Sequence, residues 1–185
     1  GVRILLLMAV TILAVGCGGK KEPVAGTKPT EEAPVNPNLK YQIKGDAVTI
    51  TGCEKKASGA LIIPAAIEGK SVTRIGGNAF LVCESLTSIT IPDSVTIIEK
   101  RTVNECKSLK SITIGENIQL TSIGDCAFEG CSSLTSITIP DGVTRIGRYA
   151  FSGCGSLTSI TIPDSVTSIW DYAFNGCRSL PSITI

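Results

Sequence analysis

Eight cysteines carry the most obvious chemistry in this chain, and five of them, Cys83, Cys106, Cys131, Cys154 and Cys177, recur at steps of 23, 25, 23 and 23 residues. In an exported protein eight thiols suggest a disulfide framework. A repeated column argues otherwise: stacked neighbours about 5 Å apart between Cα atoms fall inside the disulfide range, but parallel Cβ vectors fit the required dihedral poorly. The five are therefore read as small buried hydrophobes. Cys53 falls in a loop between short strands. Cys126 shares a column with Asn78, Arg101, Tyr149 and Tyr172, and is expected to be exposed and the first thiol to react. No C-x-x-C pair and no histidine exist to build a zinc site.

The missing histidine also removes the usual general base and the Ser-His and Cys-His pairs, so no catalytic residue is assigned. Asp93, Glu116, Asp141 and Asp164 form one column that could collect Ca2+. No second acidic column converges on it, and a turn-forming acid bonding its own backbone is the simpler account. Acid–base work would need two differently tuned carboxylates, whereas a repeated column supplies identical neighbours. Neither a metal nor a cofactor is expected. What remains is binding chemistry. Ser88 and Thr90, Ser111 and Thr113, Ser136 and Thr138, Ser159 and Thr161, and Ser182 and Thr184 form a hydroxyl grid, suited to a peptide strand or glycan or simply to a solvated sheet. Lys100, Arg101, Arg148, Tyr149, Trp170, Asp171 and Tyr172 vary between units, and Trp170 replaces a glycine. Tyr, Trp and Arg are the types enriched in binding hot spots. The candidate binding surface is Ser136, Thr138, Ser159, Thr161, Arg148, Tyr149, Trp170, Asp171 and Tyr172.

The elements that must position these residues come from a repeat, L-x-x-I-x-I-P-D-x-V-T-x-I-G-x-x-A-F-x-G-C-x-S, present in about five units. A period of this length signals a solenoid, each unit burying its apolar face on the next. Leu134–Ile139 alternates β-branched residues, so it is a strand with one buried face, ended by Pro140. Val143–Ile146 is a second short extended piece. Gly147 permits a turn, and Tyr149–Cys154 makes a short turn or helical wrap on the opposite side. Strands repeating in one direction must stack in parallel, about 4.8 Å apart. Phe80, Phe128, Phe151 and Phe174 should stack in the core, interrupted at Val103, and Ala79, Ala127, Ala150 and Ala173 beneath them, interrupted at Thr102. The second unit is thus expected to be the loosest. Insertions at Ile67–Ser71 and near Ile118–Leu120 should bulge outward as loops.

Upstream, residues 1–16 follow the plan of a signal peptide: Arg3, an apolar run from Ile4 to Val15 and a small residue. The ending Ala14-Val15-Gly16-Cys17 resembles the bacterial lipobox, which makes Cys17 the expected lipidation site and the lipid the expected membrane contact. Residues 17–38 hold prolines at 23, 29, 34 and 37 and little to bury, as expected of a disordered tether. Residues 39–63 read as N-terminal cap strands and 64–185 as the repeat array. Aromatics are only 4%, so small aliphatics must fill the core, and a net charge of +1 offers no case for nucleic acid.

From about Ile62 onward the units resemble the BspA-like subgroup of bacterial leucine-rich repeat proteins, through I-P-x-x-V-T-x-I-G-x-x-A-F-x-G-C-x-x-L. The resemblance implies a curved repeat domain on secreted or cell-surface proteins, associated with adhesion to host proteins or other cells, and it carries no catalytic residue. Two readings follow. One is an exported, lipid-anchored, non-catalytic envelope protein binding a protein or glycan on host or neighbouring cells. The other is a structural spacer or targeting module of a longer surface protein, with no ligand of its own.

Overall fold

The computed structural model describes residues 35–115 and 119–181. The signal peptide, Cys17, most of the tether, Glu116, Ile118, Ser182 and Thr184 lie outside them.

The chain forms thirteen described strands: β1 (Leu39–Lys44), β2 (Ala47–Cys53), β3 (Gly59–Ile62), β4 (Ala66–Ile67), β5 (Lys70–Ile75), β6 (Leu86–Ile91), β7 (Ile97–Ile98), β8 (Ser111–Ile114), β9 (Ser122–Ile123), β10 (Ser136–Thr138), β11 (Arg145–Ile146), β12 (Ser159–Thr161) and β13 (Ser168–Ile169). The longer Ile-rich strands make one parallel sheet in the order β3-β6-β8-β10-β12. The V-T-x-I pieces make a second, in the order β1-β2-β5-β7-β9-β11-β13, with β4 paired to β5. Sequence reasoning saw these pieces as extended but not as a sheet of their own, because two residues are too few to show a period.

Register aligns like with like. Ile89 lies opposite Ile112, and Ser111 opposite Ser136 and then Ser159. In the second sheet Ile75, Ile98, Ile123, Ile146 and Ile169 form one continuous column. Each inward isoleucine therefore rests on its copy, and a slip of one residue would turn the whole set outward.

The third wall is built of successive turns, with no helix among the described residues. Its N–H groups alternate between two destinations. Ala150 and Ser152 donate back to Gly147 and Tyr149, while Phe151 and Gly153 donate forward to Ala173 and Asn175 of the next unit, each at 2.8 Å. Left-handed backbone at Tyr149 (φ 57°) and Gly153 (φ 75°) interrupts any helical run. Of the expected turn or helical wrap it is the turn that forms, tied into a hydrogen-bonded ladder.

Between the walls lie the expected columns. The Phe128 and Phe151 rings stack at 5.3 Å, as do those of Phe151 and Phe174. Val103 breaks the stack as expected, and it is fully buried. Thr102 is fully buried too, and its hydroxyl donates to the Glu99 carbonyl at 2.6 Å, so the second unit replaces an alanine with a satisfied polar group. Neither insertion is a simple outward bulge. The first folds into the β4–β5 hairpin, with Glu68 (φ 53°) and Gly69 (φ 70°) at its turn and Ile67 fully buried. In the second, Leu120 is fully buried, in the column of Val95 and Val143.

Candidate functional site

The candidate residues fall on two separate faces. Ser136, Thr138, Ser159 and Thr161 point outward from β10 and β12, all exposed and paired in register, Ser136 with Ser159 and Thr138 with Thr161. They belong to the first sheet. Arg148, Tyr149, Trp170, Asp171 and Tyr172 lie where the second sheet turns into the third wall. The structure brings the second set together and leaves the hydroxyl grid apart from it.

At that corner the side chains engage one another across adjacent units. The Tyr149 and Tyr172 rings stack at 5.1 Å and 7°. An Arg148 Nη2 donates to Asp171 Oδ2 at 3.1 Å, and the Arg148 N–H donates to Asp125 Oδ1 at 2.9 Å. The Arg145 guanidinium sits 5.0 Å from the centre of the Trp170 ring, a cation–π arrangement. Trp170 remains 45% exposed and Tyr172 61%. In the column of Trp170 the two preceding units have Gly147 and Gly124, and the unit before those has Glu99. Glu99 accepts from Arg74 Nη1 and from the Gly77 N–H, each at 2.9 Å. The Arg74 guanidinium and then the Gly77 N–H hold its carboxyl below the usual carboxylate range.

The cysteines form a second constellation. The thiols of Cys106, Cys131, Cys154 and Cys177 donate to the carbonyls of Phe80, Val103, Phe128 and Phe151 of the preceding unit, at 2.9, 3.0, 3.2 and 3.2 Å. All described cysteines are free thiols. Burial pushes Cys53 up to about 11 and Cys131 up to about 12. Cys154 is raised by burial, and Cys106 by its hydrogen bond with Cys83 and by burial. Cys53 is not in a loop: it ends β2 and is buried. Cys126 is only partly exposed, and burial and the neighbouring Glu129 raise it, which reduces the reactivity expected of it. Among the described residues no group of three potential ligands converges on a metal site, and Asp93, Asp141 and Asp164 are exposed.

The repeat matches the BspA type leucine rich repeat region in six copies over residues 63–181. The chain belongs to that family. Counting closing cysteines gives five units, one fewer than the copies matched. Among solved structures, the chain is similar to the leucine rich repeat protein of T. pallidum, with 32% identity over 81% of this chain and 69% of that one, TM-score 0.73. It is also similar to a leucine rich cell surface protein from Faecalibacterium prausnitzii, with 28% identity over 86% of this chain and 55% of that one, TM-score 0.54. A third is the pneumococcal vaccine antigen PcpA, with 25% identity over 76% of this chain and 41% of that one, TM-score 0.58. The chain thus spans about half the length of the last two. No curated protein matches it.

Membership of the BspA-type family separates scaffold from individuality. The inward Ile, Phe, Ala and Cys columns belong to the repeat, and so do two threonine ladders that sequence reasoning missed. Thr96, Thr144 and Thr167 donate their hydroxyls to the carbonyls of Thr73, Thr121 and Thr144, at 3.2, 3.1 and 3.3 Å. Thr135 and Thr158 do the same to Lys110 and Thr135, at 3.2 and 3.1 Å. The signal was available, since a β-branched hydroxyl recurs at those positions. Its structural use shows only when the units are stacked. Arg145, Arg148, Tyr149, Asp171 and Tyr172 of the corner fall at positions the repeat leaves free, and Trp170 stands in place of its glycine.

Proposed function

We propose that this chain is the repeat domain of an exported, lipid-anchored protein of the bacterial cell surface, non-catalytic, which binds macromolecules on host or neighbouring cells. The observation that carries the reading is the corner from Arg145 to Tyr172, where a stacked tyrosine pair, an Arg–Trp contact and an ion pair lie together on a rigid stack. Leucine-rich repeats are a general protein-interaction module, and rigid aromatic and arginine side chains bind at low entropic cost. The surface assignment is supported by the Faecalibacterium protein, described as a cell surface protein, and by the pneumococcal vaccine antigen. Cys17 is the proposed anchor. Mass spectrometry of the membrane fraction should find a diacylglyceryl group on it, and an unmodified Cys17 would remove the tether.

Adhesion is tested by saturable binding of the purified protein to immobilised matrix proteins and glycans. A well-folded sample that binds none of them contradicts it. The spacer reading is favoured by one observation, the uniform Ser and Thr face of the first sheet, which presents no anchor residue on β8, β10 or β12. Sequencing beyond the present ends discriminates the two, since an attached enzyme or wall-binding domain favours the spacer.

A further inference from the structure

Between Glu99 and Trp170 the second sheet carries a groove of about 390 Å³, lined by Lys100, Ser122, Gly124, Asp125, Arg145 and Trp170 among others. Its depth has a direct cause in the repeat. The column that holds Glu99 and Trp170 holds glycine in the two units between them, Gly124 and Gly147. A Cβ on Gly124 would lie 2.9 Å from the backbone of Glu99, and one on Gly147 would lie 2.7 Å from the Asp125 nitrogen. Close stacking keeps both positions bare, so the side chains at either end stand up as walls.

The polar groups of the groove are unequally committed. Glu99 is occupied by Arg74 and the Gly77 N–H, and Asp125 Oδ1 by the Arg148 N–H. Lys100 and Arg145 make no ion pair among the described residues. Lys100 is therefore free of ion pairing, and Arg145 is engaged only by the indole of Trp170, which is 45% exposed. An added peptide strand finds no place here, because β7, β9 and β11 are each paired on both sides and offer no backbone edge. A flat ring with an apolar face and hydroxyls at its rim fits the surface better. The indole offers a C–H face a stacking surface, and Ser122, Asp125, Lys100 and Arg145 line the same groove as the groups that hydroxyls and an anionic substituent would meet.

We propose that the groove between Glu99 and Trp170 binds a sugar residue bearing a carboxylate, a uronate-type pyranose, with its ring against Trp170 and its carboxylate held by Lys100 and Arg145. This deepens the macromolecule-binding reading and rests on it, placing an acidic glycan on the second sheet. The glycine pair makes the site particular to these units, since the same column carries a side chain only at its two walls.

Trp170 is the only tryptophan of the chain, so its emission reports this groove alone. The test titrates the whole protein with an oligogalacturonate, and in parallel with a neutral oligogalactose, a poly-glutamate peptide and a single-stranded oligonucleotide. The expected result is a saturable change in emission with the oligogalacturonate, with affinity at least tenfold weaker for each of the other three. Arg145→Gln and Lys100→Gln, both at exposed positions, should each weaken uronate binding by fivefold or more with an unchanged circular dichroism spectrum. No saturable change overturns the proposal. So does equal affinity for the neutral sugar, or for the peptide or the oligonucleotide, which would show stacking or charge acting alone. Capture of matrix proteins by a protein that ignores uronate overturns the sugar site and leaves the broader reading standing. Uronate binding without any macromolecular capture does the reverse.

Discussion

Val82 holds its backbone at φ 56°, in the column where the next unit has Glu105 at φ 59° and the following three have Gly130, Gly153 and Gly176 at φ 73–75°. A β-branched residue is poorly suited to that conformation, which costs an L-residue roughly 1–2 kcal/mol. Val82 is also 40% exposed, so burial offsets only part of that cost. Val82→Gly should therefore stabilise the protein by about 1 kcal/mol in denaturant unfolding, and Gly153→Val should destabilise it by about 1–2 kcal/mol. The thiol column makes a second prediction at this scale. Burial raises Cys131 to about 12, so the folded state keeps a neutral thiol where the unfolded chain ionises. The stability this contributes is complete below the ordinary thiol value of about 8.5 and is lost as pH climbs toward 12, at about 1.4 kcal/mol per pH unit. Cys131→Ala should flatten the alkaline stability profile. At neutral pH it should cost about 1–3 kcal/mol, because the Val103 carbonyl loses its 3.0 Å partner.

At the scale of the element, the core columns were legible in the sequence and the walls only in part. Phe128, Phe151 and Phe174 recur at the repeat interval and stack as expected, because a buried ring leaves a fixed mark on the sequence. Phe151, fully buried between two rings each 5.3 Å away, should cost about 3–5 kcal/mol when changed to Ala. The third wall was read as a turn or a helical wrap and forms as turns, because its N–H groups find partners in the next unit, such as Ala173 and Asn175, and nothing local records that. The Ile67 hairpin is closed locally, with Ala66 opposite Ser71 around the Glu68–Gly69 turn, whereas the burial of Leu120 depends on stacking between units. Gly147 shows the constraint of stacking most directly. Gly147→Ala would bring a Cβ within 2.7 Å of the Asp125 nitrogen and should destabilise by about 1–3 kcal/mol, measured by thermal unfolding.

For the whole molecule, stability is the sum of contacts between neighbouring units. Ile89, Ile112 and Ile137 are buried, whereas Ile160 is only partly so, and Ile169 and Phe174 are likewise less covered than Ile146 and Phe151. Of the candidate site, the residue types were legible and their grouping was not. Ser136 and Trp170 belong to different faces because the second sheet turns the chain between them. The proposed function places binding in the corner and not in the hydroxyl grid. It is tested most directly by surface binding to immobilised matrix glycoproteins, comparing the Trp170→Ala, Tyr172→Ala, Arg148→Ala triple variant with the Ser136→Ala, Thr138→Val, Ser159→Ala, Thr161→Val variant. The account predicts at least a tenfold loss for the first and near wild-type affinity for the second; the opposite order, or full affinity in both, would contradict it.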